Sequence, residues 1–96
     1  MNMKIVNKGD AADVLLIGRL DVIAAPEVEK ALIQTSGRFN DINLDLSKLE
    51  YISSAGLRAL KNFFMAMMAK NAHFSVSNIP KPIMDIFEAT GFAFFL

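Results

Sequence analysis

The sequence contains no cysteine and no tryptophan, and only one histidine among its 96 residues. Without cysteine the chain forms no disulfide and offers no thiolate ligand to a metal ion. One histidine and scattered carboxylates are a poor metal-binding set, so we expect neither a metal site nor a cofactor. No glycine-rich phosphate loop of the Walker or dinucleotide type is present, so we do not expect the chain to bind ATP itself.

An excess of charge of one sign is also missing, because ten acidic residues balance ten basic ones. The absence of a basic run or tail argues against nucleic-acid binding through phosphate contacts. The segment Met1–Lys4 lacks the apolar core of a signal peptide. No apolar run approaches the roughly 20 residues that cross a bilayer. We therefore expect a soluble, cytoplasmic protein without membrane insertion.

Apolar residues are plentiful: they make up 53% of the chain, and the mean hydropathy is +0.35. A chain of this length forms one domain, residues 1–96, and a small domain has a large surface relative to its volume. Some apolar side chains must therefore stay at the surface, which favours a partner-binding surface. We expect a monomer or a weak dimer.

Strand and helix patterns alternate along the chain. Five segments are predicted as strands, the last of them short: Met1–Val6, Val14–Ile17, Ile42–Leu46, His73–Ser77 and Phe92–Leu96. Three helices are predicted, one beginning near Pro26, one over about Ala55–Lys70 and one beginning at Pro80. We interpret Ser47–Ile52 as a connection. Strands separated by single helices pair in parallel, whereas the tightly joined first two strands require an antiparallel or mixed pair. We expect an α/β fold, with a mixed sheet of four or five strands and helices packed mainly on one face.

The long second helix carries more apolar residues than one face can hold. Five of them fall at helical spacing and are predicted to be core residues: Leu57, Leu60, Phe64, Met67 and Met68. Phe63 and Met65 do not share that stripe. We expect one of the two to flank an interface, since methionine adapts well to binding surfaces.

The segment most informative about function is Ser53-Ser54-Ala55-Gly56, where a strand leads into this helix. Both serines are good N-cap residues, and the first N–H groups of a helix form an electropositive end. A phosphate on Ser54 would bring a charge of about −1.5 to −2 to this end, which accommodates anions. Arg58, Lys61 and Met65 follow on the same side of the helix and complete a strip that could face a partner. From the residues alone, the pattern favours a plain helix cap over a phosphorylation site for these serines.

This segment resembles the STAS family, named for sulfate transporters and anti-sigma factor antagonists. The resemblance covers nearly the whole chain and rests mainly on Tyr51–Arg58 (YISSAGLR, within LDLSKLEYISSAGLRAL), and also on Gly18–Asp21 (GRLD) and Ala24–Val28 (AAPEV). It implies the same mixed sheet with helices on one side. In antagonists of the family, the anti-sigma factor is a serine kinase that phosphorylates a serine at the start of the helix after the third strand. The matching position is Ser54. The unphosphorylated antagonist binds the kinase and frees the sigma factor, and the phosphorylated antagonist is released until a serine phosphatase resets it.

The resemblance and the helical spacing together predict a set of partner-binding residues around the phosphorylated serine. These are Asp21, Ser53, Ser54, Ala55, Gly56, Arg58, Lys61 and Met65. In the family's antagonists an aspartate at the position of Asp21 meets the kinase, although such a residue ordinarily caps the loop before a helix. Many antagonists carry an aspartate where this chain has Ser53, which is the less favoured phosphate acceptor. Many relatives also continue into a further C-terminal helix, so we expect apolar surface around Phe92–Phe95 for self-association or a partner.

Two alternatives to a switched antagonist stay open. One is a non-signalling STAS subunit of an ABC-type lipid transport complex, in which Ser54 would only cap its helix. The other is an enzyme, which we do not expect. His73 is the only histidine, a Gly-x-Ser-x-Gly elbow is absent, and no pair of acid and base groups converges in the pattern.

Overall fold

The alternation of strands and helices is present in the computed structural model, which describes all 96 residues, Met1–Leu96. The elements are β1 (Asn2–Lys8), β2 (Ala11–Leu20), α1 (Ala25–Ser36), β3 (Asp41–Ile52), α2 (Ser54–Ala69), β4 (His73–Ser77), α3 (Lys81–Thr90) and a C-terminal 3₁₀ helix (Phe92–Phe95). None of the helices is long and apolar enough to cross a membrane.

The four strands form one mixed sheet in the order β1-β2-β3-β4. β1 and β2 pair antiparallel through the two-residue turn Gly9-Asp10, whereas β3 pairs in parallel with both β2 and β4. Gly9 has a φ of 87° in this turn, a conformation that glycine adopts without strain. The predicted fold class is confirmed, with four strands and with β1 at an edge of the sheet.

One face of the sheet carries the core. In the first half of β2 and of β3 every second residue is buried, and these residues include Val14, Leu16, Ile42 and Leu44. All three α-helices contribute side chains to this same cluster, among them Val28 and Leu32 of α1, Phe63 and Phe64 of α2, and Ile83 and Phe87 of α3. The helices therefore lie on one face, as predicted, because only that face presents a continuous apolar surface.

The segment Ser47–Ile52 belongs to β3, so its interpretation as a connection is wrong. Two bulges in β3 interrupt its pattern. Between Asp45 and Lys48 the chain of β3 advances by three residues while β2 advances by two, from Leu15 to Ile17, and β3 has a second extra residue directly after Leu49. The buried positions of β3 consequently change from every second to every third residue, at Leu46, Leu49 and Ile52. Alternation is what identifies a strand in sequence, and the bulges remove it.

Asp45 lies inside β3. Its carboxylate accepts a hydrogen bond from the backbone N–H of Ser47, 2.9 Å away, beside the first bulge. This backbone bond, helped by the Ser47 and Asn78 side chains and by the charge of Lys48, lowers the pKa of Asp45 below its ordinary value. Asp45 therefore stabilises the bulged strand while it is ionised.

The core face of α2 differs from the predicted stripe by one exchange. Phe63 is fully buried, whereas Met68 is 53% exposed. The buried side of α2 runs through Ala59, Phe63 and Met67, so the core face is turned slightly toward Phe63 and away from Met68. Of the two residues left outside the stripe, Met65 is the exposed one.

The predicted last strand is also wrong, because Phe92–Phe95 is a 3₁₀ helix. Gly91 ends α3 in the left-handed conformation and turns the chain back onto the core. There the Phe92 ring packs 4.7 Å from that of Phe87 and 5.7 Å from that of Phe64. Of the apolar surface expected in this segment, Phe94 is exposed and Phe92 is buried.

Candidate functional site

Ser53 is the N-cap of α2, and both its hydroxyl and its backbone N–H form hydrogen bonds within the chain. Its Oγ accepts a hydrogen bond from the backbone N–H of Gly56 at 3.0 Å and donates to the carbonyl oxygen of Leu20 at 3.1 Å. The backbone N–H of Ser53 donates to the same carbonyl at 2.9 Å. The start of α2 is therefore fixed to the end of β2.

Ser54 has the opposite environment. It is the first residue of α2, its side chain is exposed, and its hydroxyl makes no hydrogen bond within the chain. The backbone N–H groups of Ser54 and Ala55 also lack partners, because the first N–H groups of a helix have no acceptor within it. The capping bonds begin only at Gly56, whose N–H bonds to the Ser53 side chain, and at Leu57, whose N–H bonds to the Ser53 carbonyl. A free hydroxyl thus lies beside two unpaired donors at the positive end of the helix.

Gly56 lets α2 begin this close to the sheet. A Cβ at this position would lie 2.7 Å from the Leu20 carbonyl oxygen and 2.9 Å from Cγ1 of Ile52. The first of these contacts is with backbone, which cannot rotate away. Gly56 is buried beneath the turn, so it positions Ser54 from inside the molecule.

Asp21 fixes the loop between β2 and α1. Its Oδ1 accepts hydrogen bonds from the backbone N–H groups of Ile23 at 3.1 Å and Ala24 at 2.9 Å, and its carbonyl accepts one from Ala25. The ordinary expectation for this residue, that it caps the loop, is confirmed. Because Leu20 pairs with Ile52 in parallel strands, the Asp21 loop and the Ser53 junction emerge side by side.

The remaining members of the predicted site lie on the same side of α2. Ser54, Arg58, Lys61 and Met65 are all exposed, which is the spacing of one helical stripe. Neither Arg58 nor Lys61 forms a salt bridge, and the first turn of α2 contains no acidic residue. The strip itself therefore carries two cations and no carboxylate.

Two grooves border the strip, and Arg58 lies between them. A groove of about 450 Å³ separates α2 from the start of α1 and is lined by Val22, Ala25, Pro26, Glu29, half-buried Ala55, Arg58 and Asn62. A smaller groove of about 240 Å³ leads from Arg58 and Lys61 toward the C-terminal 3₁₀ helix, where Phe92 and Phe95 line it. The first groove brings the Asp21 loop and the Ser54 turn into one surface.

Sequence reasoning missed Val22 and Ile23. They are 67% and 84% exposed at the tip of the Asp21 loop. The available signal was two consecutive aliphatic residues between Asp21 and Pro26, where turn residues are usually polar or small. Without the fold, that pair is indistinguishable from the end of an apolar strand.

His73 is remote from this site. It begins β4 beside Asp41, the first residue of β3, whereas Ser54 follows the last residue of β3. The two residues therefore lie at opposite ends of the sheet. No group of three or more histidine, aspartate or glutamate side chains is arranged to hold a metal ion.

The model of one protein family, the STAS domain, matches residues 2–96. This chain belongs to the STAS domain family. An anti-sigma-B factor antagonist from Staphylococcus epidermidis is 24% identical to this STAS domain over 92 residues, which cover 95% of the chain and 85% of the relative.

Solved structures show the same fold for this STAS domain. An anti-sigma factor antagonist from Mycobacterium paratuberculosis matches with a TM-score of 0.83 at 22% identity, covering 95% of this chain and 78% of that one. The Bacillus cell fate determinant SpoIIAA in its phosphorylated form matches with a TM-score of 0.77 at 14% identity, covering 98% and 87%.

Proposed function

We propose that this STAS domain is an anti-sigma factor antagonist that binds an anti-sigma factor serine kinase through the surface around Ser54. Phosphorylation of Ser54 ends the complex, and a serine phosphatase restores the binding form. The observation that carries the proposal is the difference between the two serines: Ser53 caps α2 through its hydrogen bonds, whereas the Ser54 hydroxyl is exposed and makes no hydrogen bond within the chain. The similarity to anti-sigma-B factor antagonists over 95% of this chain supports the class of partner. The proposal requires a cytoplasmic location, because sigma factors work there.

In the phosphorylation step the kinase supplies both ATP and the base. Ser54 Oγ attacks the γ-phosphorus, the Oγ proton passes to a base of the kinase, and the bond between the γ-phosphorus and the leaving oxygen of ADP breaks. Ser54 is the better acceptor of the two serines, since the Ser53 hydroxyl would have to give up its bonds to Leu20 and Gly56. In this proposal Ser53 and Gly56 position Ser54 and do not themselves contact the kinase.

The released state follows from charge. A phosphate of about −1.5 to −2 charges would lie beside the free N–H groups of Ser54 and Ala55 and within reach of Arg58, one turn along the helix. Such pairing consumes a cation that otherwise faces the partner, and it adds a bulky anion at the centre of the contact surface. Both effects weaken binding of any partner that complements the unmodified, positive strip.

The test is a quantitative pull-down from native lysate with Ser54→Ala and Ser54→Asp as baits, identified by mass spectrometry. A kinase-fold protein retained by the alanine bait and lost from the aspartate bait is the expected result. Gln34→Glu is the charge-matched control, because Gln34 is an exposed residue of α1 outside the strip, and this bait should retain the kinase.

Identical partners on the Ser54→Ala and Ser54→Asp baits would contradict the proposal and leave Ser54 as part of a helix start only. If the shared partner were a transporter ATPase, the result would instead favour the non-signalling subunit of a lipid transport complex.

A further inference from the structure

The loop between β2 and α1 ends in an exposed aliphatic pair, Val22 and Ile23, which we name the apolar tip. Large aliphatic side chains exposed next to each other mark interaction sites more often than isolated ones do. At 84% exposure, Ile23 contributes almost nothing to the core of this chain. The apolar tip is therefore surplus to folding and available to a partner.

The apolar tip is held in one conformation before any partner binds. Asp21 Oδ1 accepts from the N–H groups of Ile23 and Ala24, and the Asp21 carbonyl accepts from Ala25 N–H. Leu20, directly before this loop, accepts two hydrogen bonds from Ser53. A side chain on a fixed loop loses little further conformational freedom on binding, which suits it to be an anchor.

The surroundings of the apolar tip specify the chemistry of its partner. Val22 lines the groove that continues to Ala55 and Arg58, so the apolar tip and the Ser54 strip form one continuous surface. On the other side, Ile23 borders a groove of about 570 Å³ that is lined by the carboxylate residues Asp21, Glu27 and Glu50 and by Arg19. The Arg19 guanidinium lies 4.4 Å from the ring centre of Tyr51. The apolar tip thus has a carboxylate-rich groove on the Ile23 side, and on the Val22 side a groove that contains Arg58 and Glu29.

We infer that the apolar tip inserts into an apolar pocket of the same kinase that acts on Ser54, with basic side chains of the kinase facing Glu27 and Glu50. This inference rests on the proposed function and adds to it the residues that anchor the complex. The occupant is chosen by continuity with the Ser54 surface, and the carboxylate-rich groove beside Ile23 would complement basic side chains of that occupant. A few side chains buried in well-packed pockets and surrounded by a ring of weaker contacts supply most of the affinity of such interfaces.

The probe for the test is the purified kinase identified with the Ser54→Ala bait, titrated calorimetrically with wild type, Ile23→Ser and Ile33→Ser. Ile33 is the matched control, an exposed isoleucine in the second half of α1. We expect Ile23→Ser to weaken binding at least tenfold and to make the heat-capacity change of binding less negative. Ile33→Ser should stay within twofold of wild type, and the thermal midpoint of Ile23→Ser should be unchanged. Glu27→Gln should slow association at low salt.

The experiment distinguishes a failure of this inference from a failure of the proposed function. Binding by Ile23→Ser within twofold of wild type, with Ser54→Asp still inactive, overturns this inference and leaves the proposed function standing. Baits at Ser54 that retain the same partners, or no kinase, overturn the proposed function and this inference with it. If sedimentation velocity shows that Ile23→Ser dissociates a dimer of the chain while kinase binding is unchanged, the apolar tip joins two copies and the inference is wrong.

Discussion

At the residue scale, two adjacent serines of the same chemical type have different roles. The sequence favours both as cap residues, and only the fold distinguishes them, because the Leu20 carbonyl that receives Ser53 is 33 residues away in the chain. Propensity identifies a junction, but hydrogen bonds across strands decide which hydroxyl is left free.

Replacing Ser53 should cost stability, whereas replacing Ser54 should not. Ser53→Ala removes the cap of α2 and the bond to Leu20, and we expect a loss of about 1 kcal/mol in the free energy of unfolding. Ser54→Ala removes an exposed hydroxyl without partners and should change it by less than about 0.5 kcal/mol. Urea unfolding of the two variants measures both values. The reverse order would mean that Ser54 holds the cap.

Gly56→Ala sets two opposing effects against each other. Alanine is favoured over glycine inside a helix by up to about 1 kcal/mol. The new Cβ, however, meets the Leu20 carbonyl at 2.7 Å, and overpacking of this kind costs about 1–3 kcal/mol. We expect a net loss of stability and a weaker kinase complex, because α2 must move away from β2 and carry Ser54 with it.

The control for this substitution is Gly37→Ala, measured by the same urea unfolding. A Cβ at Gly37 would meet the Gln34 carbonyl at 3.5 Å, an ordinary contact, and its φ of −77° suits any residue. Its stability should be unchanged or slightly raised. A Gly56→Ala variant as stable as the Gly37→Ala variant would show that the start of α2 is not held against the sheet.

At the scale of elements, the functional strip could be predicted from sequence because helical spacing is regular. Ser54, Arg58, Lys61 and Met65 are exposed as the spacing requires, and their role in binding a partner stays a prediction. β3 is the contrasting case, since its two bulges break the alternation on which strand prediction depends. The 3₁₀ helix at Phe92–Phe95 was predicted as a strand for a related reason, because an unbroken apolar run shows neither the periodicity of a strand nor that of a helix.

A negative charge at the start of α2 should stabilise this helix and with it the folded protein. The first turn of α2 has no acidic residue, so Ser54→Asp adds the only charge that complements the positive end of the helix dipole there. We expect the free energy of unfolding to rise by about 0.3–1 kcal/mol at low salt, and the gain to shrink in high salt because the site is exposed. Chemical denaturation at two ionic strengths measures this. A destabilised Ser54→Asp protein would mean that its loss of kinase binding reflects unfolding and not charge.

At the scale of the whole molecule, the topology places the Asp21 loop and the Ser54 turn at the same end of the sheet, and Arg58, Lys61 and Met65 continue from that end along α2. The α/β class follows from the order of patterns along the chain, which survives errors at individual boundaries. The juxtaposition of the Asp21 loop with the Ser54 turn does not follow from local pattern, because it depends on β2 and β3 being parallel neighbours. The apolar tip escaped prediction for the same reason, since its exposure is a property of the assembled surface.

This arrangement predicts a one-ended footprint for the kinase in amide hydrogen exchange. Binding should slow exchange in residues 21–24 and 53–58 together, since the first segment directly follows Leu20, the second is hydrogen-bonded to Leu20 through Ser53, and the two line one groove. The Gly9-Asp10 turn and residues 37–41 lie at the opposite end of the strands and should exchange as in the free protein. The Ser54→Asp protein mixed with the kinase provides the unbound reference. Protection confined to the far end, or to the helix-free face of the sheet, would move the interface away from Ser54, and phosphorylation there would then have to act at a distance.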